Sequence, residues 1–181
     1  MATTQHVTTA EELLQASGLG RCELVRGELH MMSPAGFEHG RIAGRIHVRL
    51  AQFVESRGLG LVLSSDTGFY IQRDPDTVRA PDVGFVRTER VPRAPAPGFF
   101  EGPPDLAVEV LSPGDRAGEV LAKIQDWLDA GCKAVWVVDP AAKTIVVYRP
   151  GGTVVRLAPA DDPTAEDILP GFRLRVGGIF A

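Results

Sequence analysis

The stretch Asp105-Leu106-Ala107-Val108-Glu109-Val110-Leu111 decides how this chain is read. Side chains of a strand alternate between its faces, so Leu106, Val108 and Val110 take one side and Ala107, Glu109 and Leu111 the other. Both sides are apolar apart from Glu109, the pattern of a strand covered on both faces. An unpaired carboxylate there is heavily penalised by desolvation. Glu109 must therefore be protonated, paired with a cation or bound to a metal. Upstream, Pro81-Asp82-Val83-Gly84-Phe85-Val86 reads as a second strand that begins with a carboxylate. Two carboxylates delivered by neighbouring strands would make a metal site.

Downstream of Glu109, Ser112-Pro113-Gly114-Asp115 is a helix-start signal, and a helix is predicted from about Asp115 to Ala130, closing at Gly131. Val120, Leu121, Ile124, Trp127 and Leu128 fall on one face of it, with Lys123 at the border of that face. At the other end of the chain, Thr8 to Glu12 has the form of a capping box opening a short helix to about Ala16. Strands over 22–26 and 28–32 make a tight hairpin about Gly27. Ile42, Ile46, Leu50, Phe53 and Val54 predict a long amphipathic helix over 37–57, stopped by Gly58 and Gly60. Residues 61–63 and 68–71 form one interrupted strand or two short ones, and the latter half of 78–87 is a strand. Five of the fourteen prolines lie in 89–104, which reads as an irregular loop. Further strands are predicted over 134–138, 144–148 and 153–157, with a last one near 172–176. This order gives one α/β (α+β) domain over 1–181, a mixed β-sheet flanked by helices, with 1–19 as an N-terminal helical extension.

The length of 181 residues suffices for one domain with a sizeable core, and 44% hydrophobic with 23% charged residues is a globular composition. No apolar run approaches the roughly 20 residues that cross a bilayer, and the N-terminus lacks a signal-peptide core, so a cytoplasmic protein without membrane contact is expected. Cys22 and Cys132 show no CxxC spacing and read as reduced thiols. A net charge of −4 argues against a protein that coats nucleic acid non-specifically, while leaving room for a local basic groove. Only three of the nineteen cations are lysines, so Lys123 stands out as a lysine in a chemical position. No GxSxG, P-loop or strand-following GxGxxG element supports a serine hydrolase, nucleoside triphosphatase or dinucleotide-binding reading.

The arrangement Pro81-Asp82 followed by Glu109 on the next buried strand resembles the PD-(D/E)XK nuclease superfamily. More closely, several stretches resemble the Uma-type restriction endonuclease family. They are Glu23-Leu24-Val25-Arg26-Gly27-Glu28, Ser33-Pro34 with His39-Gly40, Arg79-Ala80-Pro81-Asp82-Val83, Pro104 through Pro113, and Gly131 with Val135-Trp136-Val137-Val138-Asp139-Pro140. The resemblance spans about residues 20–175 and implies a restriction-endonuclease-like core. It implies that Asp82 and Glu109 ligate Mg²⁺ or Mn²⁺ and that DNA is the substrate. The superfamily usually places its lysine two residues after the second acid, where this chain has Leu111; Lys123, on the following helix, fits as its replacement. Glu28 matches an acidic position on the early hairpin and would extend the metal shell, and His39 would touch substrate phosphate. A homodimer suits an enzyme that cuts two strands.

Each residue also has a plainer reading. Asp82 alone would be a turn aspartate, and Glu109 could be half of a buried ion pair with Arg79 or Lys123, but buried ion pairs are a poor route to stability, which favours a functional origin. Lys123 is equally a snorkelling lysine, Glu28 an exposed hairpin residue and His39 a helix cap. His39 and His47 are about 12 Å apart along a helix, too far to share one zinc ion. Arg41, Arg45 and Arg49 recur every fourth residue, a spacing that suits a solvated face more than a phosphate-contacting stripe, although it is the best candidate DNA surface. The expected function is a metal-dependent endonuclease hydrolysing DNA, with Asp82, Glu109, Lys123 and Glu28 in the catalytic centre and His39, Arg41 and Arg45 on substrate. The alternative is a catalytically inactive nuclease-fold module that binds nucleic acid or protein.

Overall fold

All five residues of strand β8 (Leu106–Val110) are buried, as the two-sided apolar pattern requires. In the computed structural model, which describes residues 6–94, 96–163 and 165–181, β8 lies inside a six-stranded mixed sheet. It pairs antiparallel with β6 (Val83–Arg87) and parallel with β9 (Ala134–Asp139). The sheet continues through β10 (Thr144–Arg149) to β11 (Thr153–Leu157) on one side, and through β3 (Gly60–Ser64) on the other. Leu106, Val108 and Val110 face the larger core. There they meet Ile42, Ile46, Leu50 and Val54 of the long helix α2 (Phe37–Arg57). Ala107 faces the opposite core, built on Ile124 and Trp127 of α3 (Ala117–Asp129) with Val135 and Val137.

Helix α2 runs over the predicted residues. Gly58 ends it in the left-handed conformation (φ 62°), where its N–H closes back on Glu55 and Val54. The hairpin and the first helix also form as expected. Thr9 and Glu12 exchange the two capping-box bonds of α1 (Ala10–Gln15), and β1 (Cys22–Val25) pairs with β2 (Glu28–Met31).

The single mixed sheet expected from the sequence is instead two. The second sheet has five strands in the order β2, β1, β5 (Thr77–Arg79), β4 (Phe69–Gln72) and β7 (Phe100–Glu101). Residues 61–71 are thus two strands in different sheets, and 78–87 likewise divides into β5 and β6 around Ala80-Pro81-Asp82. Strand β7 rises out of the proline-rich loop to lie parallel to β4. Helix α1 covers this second sheet, where Val7 and Ala10 pack with Leu24 and Val78.

The strand expected near 172–176 is not one. Phe172 and Leu174 are buried in the larger core, but the segment joins no sheet, and Val176 opens the short helix α4 (Val176–Phe180). Alternating burial needs only a core to pack on, and Phe172 finds it by stacking on Trp136 at 6.3 Å and meeting Phe53 edge-on at 5.1 Å. Among the described residues no helix is long and apolar enough to cross a membrane.

Leu50 has no solvent exposure and joins α2 to the six-stranded sheet. Leu50→Ala is expected to lower unfolding free energy by about 2–5 kcal/mol. A urea titration should show this as a shifted midpoint at unchanged slope.

Candidate active site

The chain leaves β5 at Arg79 and enters β6 at Val83, so Ala80-Pro81-Asp82 carries it from one sheet to the other. At this crossing Asp82 is pinned to β8 on either side of Glu109. Its N–H donates to the Val108 carbonyl (3.0 Å), and the Val110 N–H donates to its Oδ2 (2.8 Å). His39 Nε2, in the first turn of α2, lies 3.1 Å from the same oxygen, and Arg21 Nη2 lies 3.5 Å from Oδ1. Burial opposes ionisation of Asp82, but His39 and the Val110 N–H outweigh it and hold the carboxyl below its ordinary pKa. The hydrogen bond that His39 donates to Asp82 in turn raises the pKa of His39.

Glu109 is satisfied from helix α3. Its Oε1 accepts from Trp127 Nε1 at 2.8 Å, and its Oε2 lies 2.9 Å from Lys123 Nζ. Lys123 and Trp127 are four residues apart on one helix face, which is why both reach the same carboxylate. The Lys123 ammonium also lies 3.0 Å from Glu23 Oε1 on β1 and donates to the Ala80 carbonyl at 3.1 Å. Burial raises the Glu109 pKa to about 7, with Asp82 and Glu23 adding repulsion that Lys123 only partly offsets. Burial also works against the charge on Lys123, but Glu109, Glu23 and Asp82 together raise its pKa and keep it cationic. Behind this centre Glu23 accepts from the Ala80 N–H (2.9 Å) and pairs with Arg79 (2.8 Å), which also binds Asp126 of α3. The other Asp126 oxygen pairs with Arg26 at 2.8 Å.

Of the residues singled out from the sequence, Asp82, Glu109, Lys123 and His39 come together. Glu28 does not. It is exposed on β2, and the hairpin acid that enters the cluster is Glu23 on the other strand. Nor do Arg41 and Arg45 approach Asp82. Arg41 pairs with Glu38 and donates to the carbonyls of Ala181 and Phe180, while Arg45 donates to that of Ile179. Both tie the C-terminal segment to α2. Sequence reasoning overlooked Glu23, Arg21 and the indole N–H of Trp127 as parts of the site. The signal for Glu23 was available, since it is a carboxylate beside Leu24 and Val25 in an otherwise apolar strand, the same anomaly as Glu109.

Asp82, just ahead of β6, and Glu109, on the adjoining β8, are the residues that could hold a divalent cation. Among the described residues, no three His, Cys, Asp or Glu side chains converge into a ready-made cage.

Residues 10–177 match the Uma2 family model, described as "Putative restriction endonuclease", and the chain belongs to that family. Its fold is also that of a solved structure, a "putative nuclease belonging to DUF820" from Anabaena variabilis. That protein is 21% identical, and the superposition covers 95% of this chain and 97% of the other at a TM-score of 0.80. No curated protein matches the chain.

The Asp82–His39 pair sets a pH dependence for the metal-free protein. His39 has a raised folded pKa, so its contribution to stability is full below its ordinary value of 6.5 and fades as pH rises through the folded value. Asp82 has a lowered one, so its contribution holds above 3.8 and is lost as pH falls. The stability gap between the wild type and His39→Gln in EDTA should therefore be widest between these values and shrink by about pH 9. Urea midpoints show it directly, and a gap constant from about pH 5 to about pH 9 would contradict the pairing.

Proposed function

We propose that this protein is a metal-dependent endonuclease that hydrolyses DNA phosphodiester bonds, with Asp82 and Glu109 holding Mg²⁺ or Mn²⁺ and Lys123 acting beside them. The observation that carries this reading is the position of Lys123. Although Leu111 stands where a nuclease of this type usually has its lysine, the Lys123 ammonium lies 2.9 Å from Glu109. Membership of a family described as restriction endonucleases supports DNA as the substrate.

The donor set suits such an ion. Mg²⁺ favours oxygen ligands and is commonly bound by one or two carboxylates with several waters, rather than by an all-protein cage. Asp82 and Glu109 offer that number, and burial, with the nearby Asp82 and Glu23 adding to it, makes the charged form of Glu109 costly in a way that a cation would relieve. When bound, the ion supplies Lewis-acid stabilisation of the charge that develops on the phosphoryl oxygens.

The chain's own residues do the rest. Lys123 is held cationic, so it is a hydrogen-bond donor rather than a base: it orients an attacking water or steadies negative charge in the transition state. Glu23 and the Ala80 carbonyl fix its direction and act as positioning groups. Trp127 holds one oxygen of Glu109 and so sets the direction of the other. Arg21 and a protonated His39, both beside Asp82, are the charged donors available to a substrate phosphate.

Plasmid nicking in Mg²⁺ or Mn²⁺ tests the proposal. Asp82→Asn, Glu109→Gln and Lys123→Arg should each lose at least about 100-fold in rate. Calorimetric Mn²⁺ binding should disappear in Asp82→Asn and persist in Lys123→Arg. Lys123→Met should in addition destabilise the fold by roughly 3–5 kcal/mol, because it leaves the buried Glu109 without its cation while Glu23 keeps Arg79. Folded wild-type protein that neither binds the ion nor cuts would sink the proposal.

A further inference from the structure

A cavity of about 440 Å³ opens directly behind the crossing segment, on the side of the second sheet. Arg79 and Ala80 form part of its wall, and both belong to the network that holds Lys123. Leu13 and Leu14 of α1 contribute apolar surface, and Leu14 is 51% exposed. Phe99 closes another side. It sits there because residue 68 is glycine, since a Cβ at that position would run into the Phe99 ring. Arg21 links cavity and catalytic centre, with Nη2 3.5 Å from Asp82 and Nε 2.7 Å from the exposed carboxylate of Asp66, another wall residue.

This combination has a chemical meaning if the neighbouring centre cleaves a polynucleotide, and the inference rests on that reading. The volume lies within the roughly 300–1,000 Å³ of small-ligand pockets. Aliphatic and aromatic walls suit the flat faces of a heterocycle. A carboxylate at the wall accepts hydrogen bonds from the amino edge of a base, as Asp does with cytosine. The guanidinium between the cavity and Asp82 stands where the sugar-phosphate link would pass. A base stacked and paired in a duplex presents neither its faces nor its pairing edge to such a cavity; an unpaired base presents both.

We propose that this cavity receives one unpaired nucleobase next to the cleaved phosphodiester, making single-stranded or bulged DNA the preferred substrate over continuous duplex. Leu14 and Asp66 are then specificity-determining residues, outside the catalytic machinery.

The test compares full-length wild type with Leu14→Glu, which places charge on the apolar rim at an exposed position. Substrates of one sequence are a matched duplex, the same duplex with a one-nucleotide bulge, and the single strand. Wild type should cleave the bulged and single-stranded forms with kcat/KM at least about tenfold above the matched duplex. Leu14→Glu should bring that ratio close to one, and taking the ratio cancels any general charge effect on DNA affinity. Equal cleavage of all three by wild type, or an unchanged ratio in Leu14→Glu, would overturn the proposal and leave the nuclease reading standing. If no DNA is cut, the nuclease reading fails, and binding decides the cavity separately. With Ca²⁺ present, a single strand carrying 2-aminopurine should bind at least about tenfold tighter than its duplex, with the preference lost in Leu14→Glu. Equal binding of the two forms would overturn the cavity assignment.

Discussion

One ammonium group joins the two halves of this fold. Lys123 projects from α3 to Glu109 on the six-stranded sheet, to Glu23 on the five-stranded sheet and to the Ala80 carbonyl where the chain crosses between them. All three donor hydrogens of the ammonium therefore have acceptors within reach. Glu109 and Glu23 are both buried and share this cation, and burial with the nearby carboxylates of Asp82 and Glu23 raises the Glu109 pKa. Arg79 and Asp126 extend the same tie between α3 and the second sheet.

Such a cluster is a poor means of stabilising a protein. Desolvating paired charges generally offsets their attraction, and an apolar replacement of similar volume is often as stable. The arrangement instead suits chemistry, because it holds a buried carboxylate at a desolvation cost beside a cation and a second acid. Placing the cluster at the crossing has a mechanical consequence as well. Asp82 is bonded through both its backbone and its side chain to residues flanking Glu109, which fixes its place against the strand that carries Glu109.

Much of this was legible because burial leaves a periodic trace. The alternation in 105–111 identified a two-sided strand and made Glu109 an anomaly that demanded a partner. The helical spacing after it placed Lys123 on the rim of an inward face. The family resemblance pointed to Glu28 rather than Glu23, and a hairpin's alternation, which identifies two faces without saying which one a neighbouring element will cover, did not correct it. Periodicity read 172–176 as a strand because an extended segment lying on a core alternates as a paired one does. Arg41 and Arg45 had the spacing of a solvated face, yet their partners are carbonyls more than 130 residues away in sequence.

From the sequence alone follow most of the helices and strands, the burial of Glu109, the delivery of Asp82 by a neighbouring strand and the family resemblance, since these depend on local periodicity and short motifs. Only the tertiary structure decided that the strands form two sheets, that Glu23 joins the cluster and that Lys123 turns inward to Glu109. Those outcomes depend on contacts between residues 14 to 100 positions apart. A side chain at the border of a helix face has two directions open to it, and the buried carboxylates on facing strands determine which one it takes.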